Sequence, residues 1–174
     1  MLKRCIMIFP TFENGQVIDK IRGLYDPLES CVRPHITLVF PFDSHIETIE
    51  LREHLSSVLT DIAPFEIILK GITPTNNFGK YLFLNIQKGR DEIIELHKRL
   101  YTGILQNYYP KWLKGKDFFP HMTVGSFDSQ EQFEAAISET RNIDDTFKTT
   151  VNEISVEIID ENENSIIEIT IPLK

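Results

Sequence analysis

The sequence predicts an α+β fold, in which helices and strands are mixed and some strands are joined by hairpins. Segments with the two-residue alternation of strands are interspersed with segments of helical periodicity. No linker rich in Pro, Gly or Ser divides the 174 residues. Because this length is common for a single domain, we expect residues 1–174 to form one domain built from two intertwined lobes.

The elements follow from apolar periodicity in chain order. The predicted strands are 3–9, 65–73, 81–87, 148–159 and 164–172, and the predicted helices are 46–60, 91–107 and 129–140. Two helix starts carry capping signals, Ser44 with Glu47 and Ser129 with Gln132. The polar residues 161–164 predict a hairpin turn between the last two strands.

The charge balance and the cysteine count limit the partners and the compartment. The formal net charge of −8 argues against a broad basic face for duplex DNA, so any nucleic-acid partner should be short. No apolar run reaches a membrane-spanning length, and no secretory cleavage signal is present. We therefore expect a cytoplasmic monomer with no membrane partner, in which Cys5 and Cys31 are free thiols. Neither cysteine lies in a motif that lowers a thiol pKa, so a thiolate nucleophile is the weaker hypothesis.

One motif occurs twice. Residues 34–38 read Pro-His-Ile-Thr-Leu and residues 120–124 read Pro-His-Met-Thr-Val, and each copy is followed by a predicted helix start. Two such strand and helix units predict a pseudo-twofold pair of lobes, each a sheet with outer helices, that meet around a central cleft.

Strand alternation separates each motif into two faces. His35 and Thr37 point to one face while Ile36 points to the other, and His121 and Thr123 are arranged in the same way. A single copy is well explained as a core histidine whose polar atoms are satisfied locally. Two matched copies are expected by chance in about 1 in 10⁵ chains of this size, which favours a shared functional site.

Paired imidazoles suit phosphodiester chemistry. With an ordinary pKa near 6.5, one imidazole can act as general base and the other, protonated, as general acid. Thr37 and Thr123 can donate hydrogen bonds to the nonbridging phosphate oxygens. Neither motif has a second ligand at metal spacing, so zinc is the weaker reading and no metal or other cofactor is predicted.

The remaining candidates have two interpretations each. Tyr81 and Phe83 share one face of a strand, where they could stack on a base or form part of the core between the lobes. Arg33 and Lys114 could bind phosphate or could be ordinary surface residues. His97 lies in the apolar stripe of its helix, which favours a core position.

The paired motifs resemble those of the two-histidine phosphoesterase superfamily, which includes the 2′-5′ RNA ligase-like and cyclic nucleotide phosphodiesterase proteins. Small bacterial members are the most similar, through Tyr-Asp-Pro at 25–27, Leu-Tyr-Thr-Gly at 100–103 and Phe-Pro-His-Met-Thr-Val-Gly at 119–125. The resemblance implies a bilobal antiparallel sheet fold, with the histidines as acid and base and the threonines as phosphate ligands.

The resulting functional hypothesis is a metal-independent phosphoesterase that acts on a 2′,3′-cyclic phosphate or a 2′-5′ phosphodiester of short RNA or a small nucleotide. One alternative is a non-catalytic module that binds an RNA end or a phosphate metabolite, and another is an enzyme for a non-RNA ester.

Overall fold

The computed structural model describes all residues from Met1 to Lys174, and it contains eight strands, four α-helices and two 3₁₀ helices. The strands are β1 (Leu2–Ile8), β2 (Ile36–Ser44), β3 (Phe65–Thr75), β4 (Lys80–Lys88), β5 (His121–Phe127), β6 (Thr146–Val151), β7 (Glu153–Ile159) and β8 (Ser165–Pro172). The α-helices are α1 (Gln16–Tyr25), α2 (Thr48–Val58), α3 (Arg90–Leu100) and α4 (Gln130–Thr140), and the 3₁₀ helices are Gly103–Tyr108 and Lys111–Leu113. The predicted α+β class is confirmed.

The strands form one sheet in the order β6-β3-β4-β5-β2-β1-β7-β8, and every neighbouring pair is antiparallel. Four strands lie on each side of the junction between β5 and β2. The two motif strands are therefore the inner strands of the two halves, and they pair through Ile36 and Met122. This arrangement confirms the prediction of two related antiparallel halves.

Each half of the sheet is covered partly by a helix whose chain neighbours lie in the other half. Helix α1 connects β1 to β2 but packs on β5, and α3 connects β4 to β5 but packs on β2. Because both helices cover the same side of the junction, Ile36, Leu38, Met122 and Val124 are fully buried beneath them. The opposite face of these strands carries the polar residues of the motifs.

Both motif strands bulge at the residue that follows the motif threonine. In β2, Val39 pairs with Ile6 and Thr37 pairs with Met7, which leaves Leu38 as an extra residue. In β5, Gly125 pairs with Leu82 and Thr123 pairs with Phe83, which leaves Val124 as the extra residue. Bulges bend a strand and re-aim its side chains, and they are frequent beside active sites.

Two predicted elements have different limits from those expected. The predicted helix 91–107 ends at Leu100, because Thr102 is extended and Gly103 has φ +53°, and the chain continues as a 3₁₀ helix. The predicted strand 148–159 is two strands, because the chain breaks at Asn152 between β6 and β7. Strand β6 pairs with β3 near one edge of the sheet, whereas β7 pairs with β1 in the other half.

The capping predictions have opposite outcomes. Ser129 is the N-cap of α4 and its hydroxyl accepts a hydrogen bond from the Gln132 amide, as predicted. The cap at Ser44 is wrong, because Ser44 ends β2 and its hydroxyl accepts a hydrogen bond from Arg4. Helix α2 instead begins after Glu47, whose side chain forms no cap bond.

Three further predictions concern the last hairpin turn, the two cysteines and membrane-spanning segments. The predicted turn at 161–164 joins β7 to β8, and Asp160 binds the amides of Asn162 and Asn164. Cys5 and Cys31 are unpaired, as predicted. None of the helices has the length and apolar character needed to cross a membrane.

Candidate active site

The two His-x-Thr segments lie side by side at the junction of the two halves. Strands β2 and β5 are antiparallel there, with Ile36 opposite Met122. Continuing this register by one residue on either side places His35 opposite Thr123 and Thr37 opposite His121. Because Ile36 and Met122 are fully buried, alternation directs the four polar side chains to the other face of the sheet. The structure thus brings together four residues that are far apart in sequence.

The two imidazoles are oriented by the same backbone hydrogen bond. The Nδ1 atom of His35 lies 2.8 Å from the carbonyl oxygen of Arg33, and the Nδ1 atom of His121 lies 2.8 Å from that of Phe119. A carbonyl only accepts, so Nδ1 must carry the proton in both rings. The Nε2 atom of each ring is then the one that can take up or release a proton.

Burial and mutual repulsion favour the neutral form of both imidazoles. Desolvation lowers the pKa of His35. The hydrogen bond to the Arg33 carbonyl opposes this shift, and the Asp26 carboxylate opposes it to a smaller extent. Desolvation also lowers the pKa of His121, and the positive charge of His35 lowers it further. The two rings are therefore within electrostatic range of each other, and protonation of one disfavours protonation of the other.

The two threonine side chains have hydroxyls that are free to bind a ligand. Thr37 and Thr123 are partly exposed, and neither hydroxyl is a donor or an acceptor in the side-chain hydrogen bonds of the protein. Each hydroxyl lies on the same face as the imidazole opposite it in the paired strand. A bound group can therefore interact with the two imidazole Nε2 atoms, each of which can donate or accept a proton, and with two threonine O–H donors.

The bulge in β2 is held by side chains from outside the sheet. His97 bonds the Leu38 carbonyl through Nδ1 at 2.8 Å, and the Tyr101 hydroxyl accepts a hydrogen bond from the Phe40 amide at 3.0 Å. These bonds satisfy backbone groups that the irregular ladder leaves free. His97 is 2% exposed, so the prediction of a core position is confirmed.

A buried ion pair, which the sequence did not reveal, supports the segment before His35. Arg22 binds Asp26 at 2.7 Å and also donates to the carbonyl oxygens of Leu28 and Val32. Arg22 therefore fixes both ends of the turn that leads into the first motif. The available signal was the Tyr-Asp-Pro segment, which contains Asp26 four residues after Arg22.

Aromatic rings line the β4 side of the site. Phe83 stacks on His121 with ring centroids 3.7 Å apart, and Tyr81 stacks on Phe83 at 5.7 Å. Phe83 is 5% exposed, Tyr81 is partly exposed, and Phe78 beside them is 69% exposed. Phe83 thus supports the imidazole, whereas Tyr81 and Phe78 have ring surface that a ligand can reach.

The two basic residues singled out from the sequence lie in different surroundings. The Arg33 guanidinium lies over the ring of Phe9, 4.6 Å from its centroid, and the same ring is 6.1 Å from His35. Lys114 is exposed at the end of the second 3₁₀ helix and forms no ion pair. Its neighbour Trp112 packs against Phe40 of the first motif strand, with centroids 4.8 Å apart.

No group of three or more His, Cys, Asp or Glu side chains is arranged to hold a metal ion. The candidate site contains two imidazoles and two threonine hydroxyls, and the Asp26 carboxylate whose charge acts on His35 is itself bound by Arg22. The site therefore presents proton-transfer groups and hydroxyl donors.

An antiparallel α+β sheet with paired His-x-Thr segments at its centre defines the class of two-histidine phosphoesterases, and the resemblance seen in the sequence is confirmed. A family model described as the 2′-5′ RNA ligase superfamily matches residues 10–163, and the chain belongs to this superfamily.

Known proteins resemble the chain over most of its length. A Bacillus licheniformis protein named "Putative phosphoesterase" is 26% identical over 135 residues, which cover 75% of this chain and 75% of the relative. The crystal structure of TT0787 of Thermus thermophilus matches with a TM-score of 0.68, 15% identity and coverage of 99% of this chain and 98% of that chain. The structure of E. coli LigT complexed with ATP matches with a TM-score of 0.59, 14% identity and the same coverage. At these identities the two structures show the fold, and the family supports an enzyme of phosphoester chemistry.

Proposed function

We propose that this protein is a metal-independent phosphoesterase that cleaves a 2′,3′-cyclic phosphate or a 2′-5′ phosphodiester in RNA or a small nucleotide. One observation carries the proposal. The two imidazoles have the same Nδ1 to carbonyl hydrogen bond, so both Nε2 atoms are left for proton transfer beside two free threonine hydroxyls. An ordinary core histidine has no reason to be duplicated in this way.

In the proposed reaction the neutral imidazole takes a proton from water through Nε2 as the water oxygen attacks phosphorus. The protonated imidazole gives its Nε2 proton to the leaving ribose oxygen as the phosphorus to oxygen bond breaks. One proton is taken up and one is released, so the pair ends the step with its protonation states exchanged. Either histidine can start as the base, because the same Nδ1 to carbonyl hydrogen bond leaves Nε2 available in both rings.

Thr37 and Thr123 have the second role in this proposal. Each hydroxyl would donate a hydrogen bond to a nonbridging oxygen, where negative charge grows in the transition state. Their positions are set by the bulges that follow them, so the donors are oriented before the substrate binds.

The substrate class is supported by the family and by the aromatic surface. The matching family model is described as the 2′-5′ RNA ligase superfamily, and the structure of E. coli LigT is a complex with ATP. Beside His121, the accessible rings of Tyr81 and Phe78 offer a stacking surface to a nucleobase. The acidic chain favours short ligands over a duplex.

The direct test is a panel of substrates. Purified protein is incubated with 2′,3′-cyclic mononucleotides and with 2′-5′ and 3′-5′ dinucleoside monophosphates, each with and without a chelator. We expect hydrolysis of a cyclic or 2′-5′ substrate, at a rate that the chelator leaves unchanged. Tight binding of these compounds without turnover would replace the enzyme by the alternative of a non-catalytic binding module. A rate that disappears with the chelator would contradict the two-histidine mechanism.

A further inference from the structure

Two arginines are held on aromatic rings beside the candidate site, one near each motif histidine. Arg33 lies over Phe9 at 4.6 Å, and Arg90 lies over Phe119 at 4.8 Å. Each of these rings is also near a motif histidine, with the Phe9 centroid 6.1 Å from His35 and the Phe119 centroid 6.1 Å from His121. Each guanidinium is therefore one ring away from a catalytic candidate.

In the two arginine and ring pairs, the arginine and the ring have exchanged their sequence positions relative to the motif histidine. In the first half the ring follows β1 and the arginine lies two residues before the motif histidine. In the second half the arginine begins α3, just after β4, and the ring lies two residues before the motif histidine. The two halves thus reach the same arrangement from different residues, which a simple duplication of sequence would not produce.

Both guanidinium groups are free of carboxylate partners. Arg33 and Arg90 are exposed and, like Arg52 and Arg141, take part in none of the ion pairs, whereas Arg4, Arg22 and Arg99 are paired with acidic residues. Two of the four unpaired arginines therefore lie on rings beside the candidate site, in a chain whose net charge is −8. A guanidinium stacked on a ring keeps its N–H groups at its edge, where they can bind phosphate oxygens in a bidentate manner.

We infer that Arg33 and Arg90 bind the phosphates on either side of the scissile phosphate, so that the preferred substrate is an internal phosphodiester of an oligonucleotide. This inference rests on the proposed function. A terminal 2′,3′-cyclic phosphate has a neighbouring phosphate on one side only, and a dinucleoside monophosphate has none. Only an internal linkage uses both arginines at once.

The test compares two substrates of the same chemistry. One is a 2′-5′-linked tetra-adenylate, whose central phosphate has a neighbour on each side, and the other is the 2′-5′-linked adenylyl dinucleoside monophosphate. The measured quantity is the ratio of kcat/KM for cleavage of the central bond to kcat/KM for the dinucleotide. We expect this ratio to exceed about 10 in the unaltered protein, because two charge-assisted contacts are added.

Arg33→Gln and Arg90→Gln should each lower this ratio about 5-fold to 10-fold, and a rise in salt from 50 to 200 mM should lower it as well. The matched control is Arg141→Gln, since Arg141 is exposed at the end of α4 and forms no ion pair. This control should leave the ratio unchanged. A ratio near 1 in the unaltered protein, or a ratio that neither site variant lowers, would overturn the inference.

Failure of the proposed function gives a different result. In that case the unaltered protein cleaves neither substrate, and the inference is tested by fluorescence anisotropy with the labelled tetra-adenylate. Weaker binding by Arg33→Gln and Arg90→Gln, with unchanged binding by Arg141→Gln, would still support flanking phosphate sites. Equal binding by all four proteins would overturn them.

Discussion

Replacement of His97 by alanine should weaken both the fold and the candidate site. His97 bonds the carbonyl of Leu38, the bulged residue directly after Thr37. Its ring also stacks on Phe118, with centroids 3.8 Å apart and planes 6° apart, and Phe118 directly precedes the residue whose carbonyl orients His121. His97 therefore contacts the backbone of one motif and the approach to the other.

The expected loss of stability follows from these contacts. Leaving the buried Leu38 carbonyl without a partner costs about 1–3 kcal/mol. Deleting a fully buried ring leaves a cavity, which brings the total for His97→Ala to about 3–5 kcal/mol by comparison with large-to-small core substitutions. His97→Asn keeps a donor near the position of Nδ1, so its cost should be about 1–3 kcal/mol smaller than that of His97→Ala.

The pH dependence of stability has a defined sign. Burial lowers the pKa of His97, and its Nε2 atom is buried without a partner. Below the ordinary histidine pKa near 6.5, the unfolded chain binds a proton more readily than the folded chain, so acidification destabilises the protein. Burial lowers the pKa values of His35 and His121 too, and both add to this trend. His97→Asn should therefore reduce the loss of stability between pH 7.5 and pH 5 without abolishing it.

Urea denaturation at these two pH values, together with kcat on a competent substrate, measures both effects. The control is His45→Ala, since His45 is exposed and should change the free energy of unfolding by less than about 0.5 kcal/mol. The positioning role predicts that kcat falls in His97→Ala and recovers partly in His97→Asn under conditions where both are folded. Unchanged stability and kcat in His97→Ala would refute the account of the bulge.

Three further predictions concern the candidate site itself. Because burial lowers both histidine pKa values, kcat/KM should be bell-shaped in pH with its maximum below about 6.5. The maximum of kcat should lie at higher pH, since a bound phosphate favours protonated imidazole. A flat profile would argue against acid and base catalysis. Thr37→Val and Thr123→Val should each lower kcat by about 10-fold to 10³-fold while the unfolding midpoint in urea changes little, and unchanged kcat would exclude the threonines as donors. Phe83→Leu should lower kcat/KM by about 3-fold to 10-fold, since it removes the ring stacked on His121. Phe78→Leu is the matched control, because loss of a base-stacking ring raises KM alone, whereas loss of the ring that supports the imidazole also lowers kcat.

The features of the fold that could be predicted from sequence depend on residues that are close together in the chain. The duplicated motif identified β2 and β5 and the polar face that they share, because strand alternation acts over neighbouring residues. The cap at Ser129 and the turn at 161–164 were also predictable, since both depend on hydrogen bonds within a few residues.

The errors arose where distant contacts decided the structure. Residues 148–159 are rich in β-branched residues and read as one strand in sequence, but pairing with β3 and with β1 divides them at Asn152. Ser44 has the sequence of a helix cap, yet Arg4, 40 residues away, binds its hydroxyl within the sheet. Helix α1 was not predicted, although Ile18, Ile21 and Tyr25 have helical spacing, because polar turn residues precede a short segment.

The surroundings of the site were also beyond local reasoning. The rings of Phe9 and Phe119, the guanidinium of Arg90 and the ion pair of Arg22 with Asp26 meet the motifs only through tertiary packing. Arg33 was singled out because of its nearness to a motif, and its guanidinium lies over Phe9, while its role in binding stays a prediction. Lys114 was singled out in the same way, but its side chain has no partner in the folded chain.

The central claim is that His35 and His121 act together, and the most direct measurement is kcat for His35→Ala, His121→Ala and the double variant on one competent substrate. The account predicts that each single variant loses about 10² to 10⁴ in kcat, and that the double variant loses less than the product of the two losses because the residues act as a unit. Circular dichroism and urea midpoints would verify that all three variants fold. Full activity in either single variant, or losses that multiply, would contradict the claim that the two imidazoles form one catalytic pair.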